Sequence, residues 1–351
     1  GSANFVVKIP FSKKRFYFVQ DPELVRMVLK AKTSLGFVNH NFDISHQHPR
    51  TIDAVNTNEV LWQDLHRELT DIFNTTPITE LMEKNKTVLL DRTEYNLNEA
   101  LEVYFIKVWS EYTFGEVNFE EYRQVRLKWI DVLRKVFHAN RLNRLPTIGE
   151  ISSRYLHNKY KNEIEEVDLA VSKLLASSIE QKRGTFYQLY DRLRGKYGDS
   201  EAFLIARDNS LLGILVYDFI YGVALDYVAN NAKTQNPNWR TQLGKSEKAA
   251  FLYPWRFRVA EEPIGGANQG DFFVINLIRG KVPFSAGPRI CSGVKLFSEI
   301  IRTLTKIYSD SGIQFATPDE EIAYNGNKDI PIMTSQHRVK CPFHSMMGKL
   351  K

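Results

Sequence analysis

The stretch Phe284-Ser285-Ala286-Gly287-Pro288-Arg289-Ile290-Cys291-Ser292-Gly293 carries the residue types best suited to chemistry. It reads as a glycine- and proline-shaped loop that runs into a helix, with one cysteine at the boundary. Glycines permit backbone angles that other residues avoid, and they let a flat group approach the main chain. The N–H groups at the start of the following helix supply positive potential, which favours thiolate over thiol. Phe284 can pack against an aromatic plane, and Arg289 can pair with a carboxylate. A thiolate on a bent loop beside an arginine suits one axial ligand of heme iron. The same residues also suit an ordinary buried cysteine before a helix. A Cys–His nucleophile is a further alternative, for which no local signature is present.

The elements that would position this loop are mostly helical. Phe5–Ile9 and Arg15–Val19 fit two short strands. Asp21 can cap a helix running to about Lys30, with Pro22 in its first turn. Residues 31–57 read as a long solvated loop rich in His, Asn and Asp. A metal site at His40, His46 and His48 is the alternative there. Helical spacing dominates from Asn58 to Arg192, as in Val60–Phe73, Asn96–Tyr112 and Tyr122–Ala139. Tyr160–Gln181 reads as a surface helix with Ile164, Val167, Leu169, Val171, Leu174 and Leu175 on one apolar side. Residues 201–230 form the most apolar segment, a helix expected to cross the core. After Pro254 the pattern turns to a small β region around residues 257–277. A helix at about 293–309 and short C-terminal strands follow.

Composition sets the outer bounds. The 351 residues are 43% hydrophobic and 25% charged, a globular composition large enough to bury a core and hold a cavity. The net charge of +6 comes from dispersed Lys and Arg; clusters such as Lys13-Lys14-Arg15 and Lys159-Tyr160-Lys161 read as solvated faces. No nucleic-acid module is visible, so no nucleic-acid partner is expected. An acidic partner protein is the sharper use of the charge. Two cysteines, Cys291 and Cys341, exclude a disulfide framework, and a reducing cytoplasm is the expected compartment. No run of about 18 uncharged apolar residues occurs, so no membrane span is expected. Gly1-Ser2-Ala3 reads as a cloning remnant, and no signal peptide pattern follows it.

The cysteine stretch resembles the ligand loop of the cytochrome P450 family, F-x-x-G-x-R-x-C-x-G. Phe284, Gly287, Arg289, Cys291 and Gly293 stand at its five fixed positions. The resemblance extends more weakly along the chain. Residues 21–29 look like the family's first helix. Trp62 to Phe73 resembles the helix that carries a Trp and an Arg toward a heme propionate; His66 takes the arginine position, with Arg67 adjacent. Phe257-Arg258 resembles the strand whose arginine meets the second propionate. The resemblance implies a single mainly α domain over residues 1–351, with a small β portion. It implies heme b (iron protoporphyrin IX) ligated by Cys291, with Trp62, His66, Arg258 and Arg289 around it. An oxidoreductase of biosynthesis follows, acting on a small, largely apolar substrate, with a redox partner protein as electron donor or peroxide in its place.

Three departures bear on the reaction. The family's E-x-x-R helix is replaced by Lys248-Ala249-Ala250-Phe251. The irregular loop before the cysteine motif shrinks to Ile278-Arg279-Gly280-Lys281-Val282. The core-helix acid and threonine that relay protons align with Leu215 and Val216, shortly after Gly213, which matches the family's small residue. Asp218 would substitute only in a slipped register, and is the one catalytic candidate. Apolar residues deliver no protons, so the expectation is peroxide or hydroperoxide use, rearrangement or dehydration. A conventional electron-fed monooxygenase and a non-catalytic accessory protein are the alternatives.

Overall fold

A computed structural model of the chain describes residues 4–8, 14–34, 48–90, 97–133, 135–136, 148–231, 255–277, 279–282 and 284–311. At the N-terminal end lie β1 (Phe5–Lys8), β2 (Arg15–Val19), α1 (Pro22–Lys30) and the two-residue β3 (Thr33–Ser34). Asp21 caps α1 as its sequence indicates. Its Oδ1 accepts from the Glu23 and Leu24 N–H groups, each at 3.0 Å.

The helical body follows. It comprises α2 (Val60–Thr75), α3 (Thr79–Lys84), α4 (Thr87–Leu90), α5 (Leu97–Phe114) and α6 (Phe119–Leu133). It continues with α7 (Ile148–Lys159), α8 (Lys161–Gln181), α9 (Thr185–Tyr197) and α10 (Asp199–Asn231). The chain then returns to the sheet through β4 (Trp255–Ala260) and β5 (Phe272–Asn276). A single 3₁₀ turn at Gly287–Arg289 leads to α11 (Val294–Ser311).

The sheet order is β1-β2-β5-β4-β3. β2 and β5 pair in parallel, and the other neighbours are antiparallel. Central β5 is buried at every position. Arg15 is not a solvated charge. Its Nη2 donates to Asp271 Oδ2 at 2.9 Å, and Asp271 is 2% exposed. That bond fastens the start of β2 to the residue before β5.

α10 runs through the main core with Ile205, Leu211, Ile214, Tyr217, Ile220 and Ala224 buried around its circumference. Its apolar composition on nearly all sides reflects this position. Two indoles fasten it to the body: Trp109 Nε1 donates to the Gly213 carbonyl at 3.0 Å, and Trp129 Nε1 to the Leu211 carbonyl at 3.1 Å. The sequence pattern did not single out a polar step, Asp208-Asn209-Ser210, which is also buried. On α8, Ile164, Val167, Val171, Leu174 and Leu175 face the core, but Leu169 is exposed and lies off that stripe. α11 buries Leu296, Phe297, Ile300, Ile301, Leu304, Ile307 and Tyr308 at helical spacing.

No helix among the described residues is long and apolar enough to cross a membrane. Phe37, His40, Phe42, His46, residues 248–251, the C-terminal strands expected after α11 and Cys341 lie outside the described residues, as does the side chain of Asp218.

Candidate functional site

The cysteine loop is shaped by its own backbone bonds. The Ser285 N–H donates to the Val282 carbonyl at 2.8 Å, and the Cys291 N–H to the Phe284 carbonyl at 2.9 Å. Ser285 itself sits at φ 68°, a left-handed value that is costly for a non-glycine residue. Phe284 packs against Phe297 of α11, with ring centroids 5.3 Å apart. Gly287 packs closely on the end of α1. It has φ +67°, and a Cβ there would lie 2.4 Å from the Leu29 carbonyl oxygen at the end of α1. Gly293 opens α11, its carbonyl accepting from Phe297 N–H at 2.9 Å.

Cys291 is accessible to solvent, yet surrounded closely enough that burial pushes its thiol pKa up. The Gly293 N–H pulls the other way without overcoming burial, so the helix start alone does not produce the thiolate expected from the sequence. A bound metal cation would displace the proton outright. Ile290 beside it is 46% exposed, and Val216 on α10 is 37% exposed between buried neighbours.

One face of α2 meets this loop. Trp62 and His66, four residues apart, share that face and stack at 4.7 Å and 19°. Trp62 is buried and lies under the Arg289 guanidinium, 5.5 Å from ring centre to Cζ. His66 Nε2 is 3.2 Å from the Ile290 carbonyl oxygen, immediately before the cysteine. Arg67 turns to the next face, where it donates to Asp64 at 3.0 Å and Glu68 at 2.9 Å. Of the two residues considered for the family's arginine position, His66 is the one against the cysteine loop.

α9 holds α2 in place. Asp64 is 3% exposed and accepts from Lys196 at 2.5 Å and Tyr197 at 2.6 Å. Burial raises the Asp64 pKa, but Lys196, Tyr197 and Arg67 outweigh it and hold the carboxyl below its usual value. The Tyr197 hydroxyl is pushed up to about 12, first by burial and then by Asp64.

Three guanidinium groups converge beside the loop. Arg256 and Arg258, two apart on β4, share a strand face. Arg258 is 5% exposed, and its pKa falls to about 9, first through burial and then through the charges of Arg289 and Arg256. Arg289 falls to about 10, chiefly through burial, with Asp53 and Glu59 opposing. Arg289 donates to the Ile52 carbonyl at 3.4 Å and to the Val55 carbonyl. Both of these bonds run to main-chain carbonyls. Crowded cations that repel one another, Arg258 among them buried, favour an added anionic group. The donor set fits heme: an accessible cysteine sulfur for iron and crowded arginines for two carboxylates. Arg256 and Asp53 escaped the sequence reading. The Arg-x-Arg alternation on β4 is the signal that finds Arg256.

Other expected residues separate from this site. His48 is not solvated: it is 1% exposed, and its Nε2 lies 2.7 Å from Asp168 Oδ1. No group of three His, Cys, Asp or Glu among the described residues is placed to hold a metal ion. Gly213 gives its space to Phe186, whose Cζ lies 2.6 Å from where a Cβ would be. A helix turns about 100° per residue, so position 218 stands about 160° round α10 from Val216.

No family sequence model and no curated protein matches the chain. Solved structures do. A six-coordinate cytochrome P450 from Thermus thermophilus matches with a TM-score of 0.56 and 15% identity, over 87% of this chain and 86% of that one. A zebra fish cytochrome P450 solved with progesterone matches at 0.59 and 14%, over 87% of each chain. A zebra fish cytochrome P450 solved with abiraterone gives 0.58 and 14%, again over 87% of each. Identities this low speak to fold alone. The helical body, the small mixed sheet and the cysteine loop leading into α11 together form the cytochrome P450 fold.

Proposed function

We propose that the chain is a heme-thiolate oxidoreductase whose heme lies between Cys291 and α10. The observation that carries this reading is the convergence of a solvent-accessible Cys291 with the buried Arg258 and the half-buried Arg289, whose charges repel. Cys291 would hold the iron, and Arg258 and Arg289 the two carboxylates. Trp62 and His66 brace the loop from α2. When bound, heme supplies a redox-active iron whose reactivity the thiolate raises.

The chain's own residues shape the rest. Leu215 and Val216 offer no proton at the helix step that aligns with the family's relay, and Val216 presents an open apolar side chain. A small, largely apolar substrate suits such a wall. Chemistry that brings its own O–O bond, or that rearranges or dehydrates the substrate, needs fewer delivered protons than reduction of O₂. Peroxide or a hydroperoxide is the proposed oxidant, ahead of a protein electron donor.

The test is the optical spectrum of the purified chain, oxidised and then reduced under carbon monoxide. A strongly red-shifted reduced band that disappears in Cys291→Ala supports thiolate-ligated heme. Turnover with hydroperoxide alone supports the oxidant; turnover only with a reductase and O₂ overturns that part. A folded chain that takes up no added hemin overturns the reading and leaves an accessory protein on this fold.

A further inference from the structure

Residues 48–55 tie the central helix to the cysteine loop, and the tie passes through one residue. The Ile52 N–H donates to Asn209 Oδ1 on α10 at 3.0 Å. The Ile52 carbonyl accepts from Arg289 Nη1 at 3.4 Å, and the Val55 carbonyl accepts from Arg289 Nη2. Asn209 is 3% exposed, and its Nδ2 donates to the Arg50 carbonyl at 2.9 Å and to the Ile205 carbonyl at 2.8 Å. One amide thus makes three hydrogen bonds, two of them to the same short segment. Only an amide combines an acceptor with two donors at that site.

The segment is compact and pinned upstream as well. The Ala54 and Val55 N–H groups both donate to the Thr51 carbonyl, at 2.8 and 3.3 Å. His48 reaches Asp168 of α8 at 2.7 Å, and Arg50 reaches Glu201 of α10 at 2.6 and 3.2 Å. A segment closed on itself and held at both ends transmits position.

We propose that Asn209 is a positioning residue: through residues 50–55 it places Arg289, and with it the cysteine loop, relative to α10. What the resulting gap holds rests on the heme reading above; the tie itself does not. The family-like loop motif contains no trace of it, because Asn209 lies far away in sequence.

Amide hydrogen exchange on the full chain as purified, without added heme, tests the tie. Asn209→Leu removes all three bonds. The Ile52, Ala54 and Val55 amides should exchange at least about tenfold faster, since one net hydrogen bond of about 1 kcal/mol already gives nearly that factor. The Ile290 and Cys291 amides, beyond Arg289, should speed up with them. Asn209→Asp keeps the acceptor for Ile52 and loses both donors, so it should fall between, and it carries the test if the leucine variant does not fold. Glu201→Gln loosens the Arg50 end alone and should leave Ile290 and Cys291 unchanged. Faster exchange at 52–55 with unchanged Ile290 and Cys291 overturns the proposal. In chain loaded with hemin, the Asn209 variants should lose heme faster than wild type. A chain that binds no hemin but shows the coupled exchange would remove the function and keep the role of Asn209.

Discussion

Replacing Gly213 by alanine sets two opposing effects against each other. A methyl at 213 would sit 2.6 Å from Phe186 Cζ and 2.8 Å from Cε2. That ring is 3% exposed and packs against Phe114, with centroids 5.7 Å apart. It must retreat by about 0.8 Å to reach ordinary contact. Such overpacking costs about 1–3 kcal/mol. Alanine returns about 1 kcal/mol over glycine within a helix. The balance is a loss of about 0–2 kcal/mol, read as a lower midpoint in urea denaturation. Phe186→Leu makes room, so the double variant should be about 1 kcal/mol more stable than the sum of the two singles. Strict additivity of the two substitutions would refute this account.

Three further substitutions probe the frame around the site. Gly287→Ala combines a left-handed backbone with a Cβ 2.4 Å from the Leu29 oxygen; it should cost about 2–4 kcal/mol and speed alkylation of Cys291. Asp64→Asn should cost about 2 kcal/mol at neutral pH through lost charge-assisted bonds. Folding lowers the Asp64 pKa below 3.8, so its contribution is complete above that pH and drains away as pH falls through the folded value. An acid titration of Asp64→Asn should lack that limb. Asp271→Asn leaves Arg15 without its anion and weakens the Asn268 N–H bond of 2.8 Å; a loss of about 2 kcal/mol is expected on denaturation.

The sequence was most legible where structure is local. The Asp21 cap, the α11 stripe and the bent loop before Cys291 each depend on residues a few positions apart. α10 was legible for a different reason, since a helix apolar on every side has few places to go. What stayed hidden depends on distant partners. The burial of His48 is decided by Asp168, and the small size of Gly213 by Phe186. The neighbourhood of Arg256 and Arg289 arises only when β4 and the cysteine loop are brought together. Asn209 looked like an ordinary polar residue in an apolar run until its three acceptors and donors were in place. Periodicity reports which face is buried, not which polar group waits on the other side.

The parallel pairing of β2 with β5 also has a consequence in time. Phe16 lies beside Phe272, and Arg15 bonds a residue 256 positions later. Chain synthesis proceeds at about 5–20 residues per second, so β2 leaves the ribosome roughly 13–50 s before its partner exists. During that interval only β1 can cover one of its edges. The cysteine loop faces the same delay, because Gly287 docks on Leu29. The helical body can collapse around α5 and α10 first, while the sheet and the site close last. A short β1 and a two-residue β3 leave little open edge once they do.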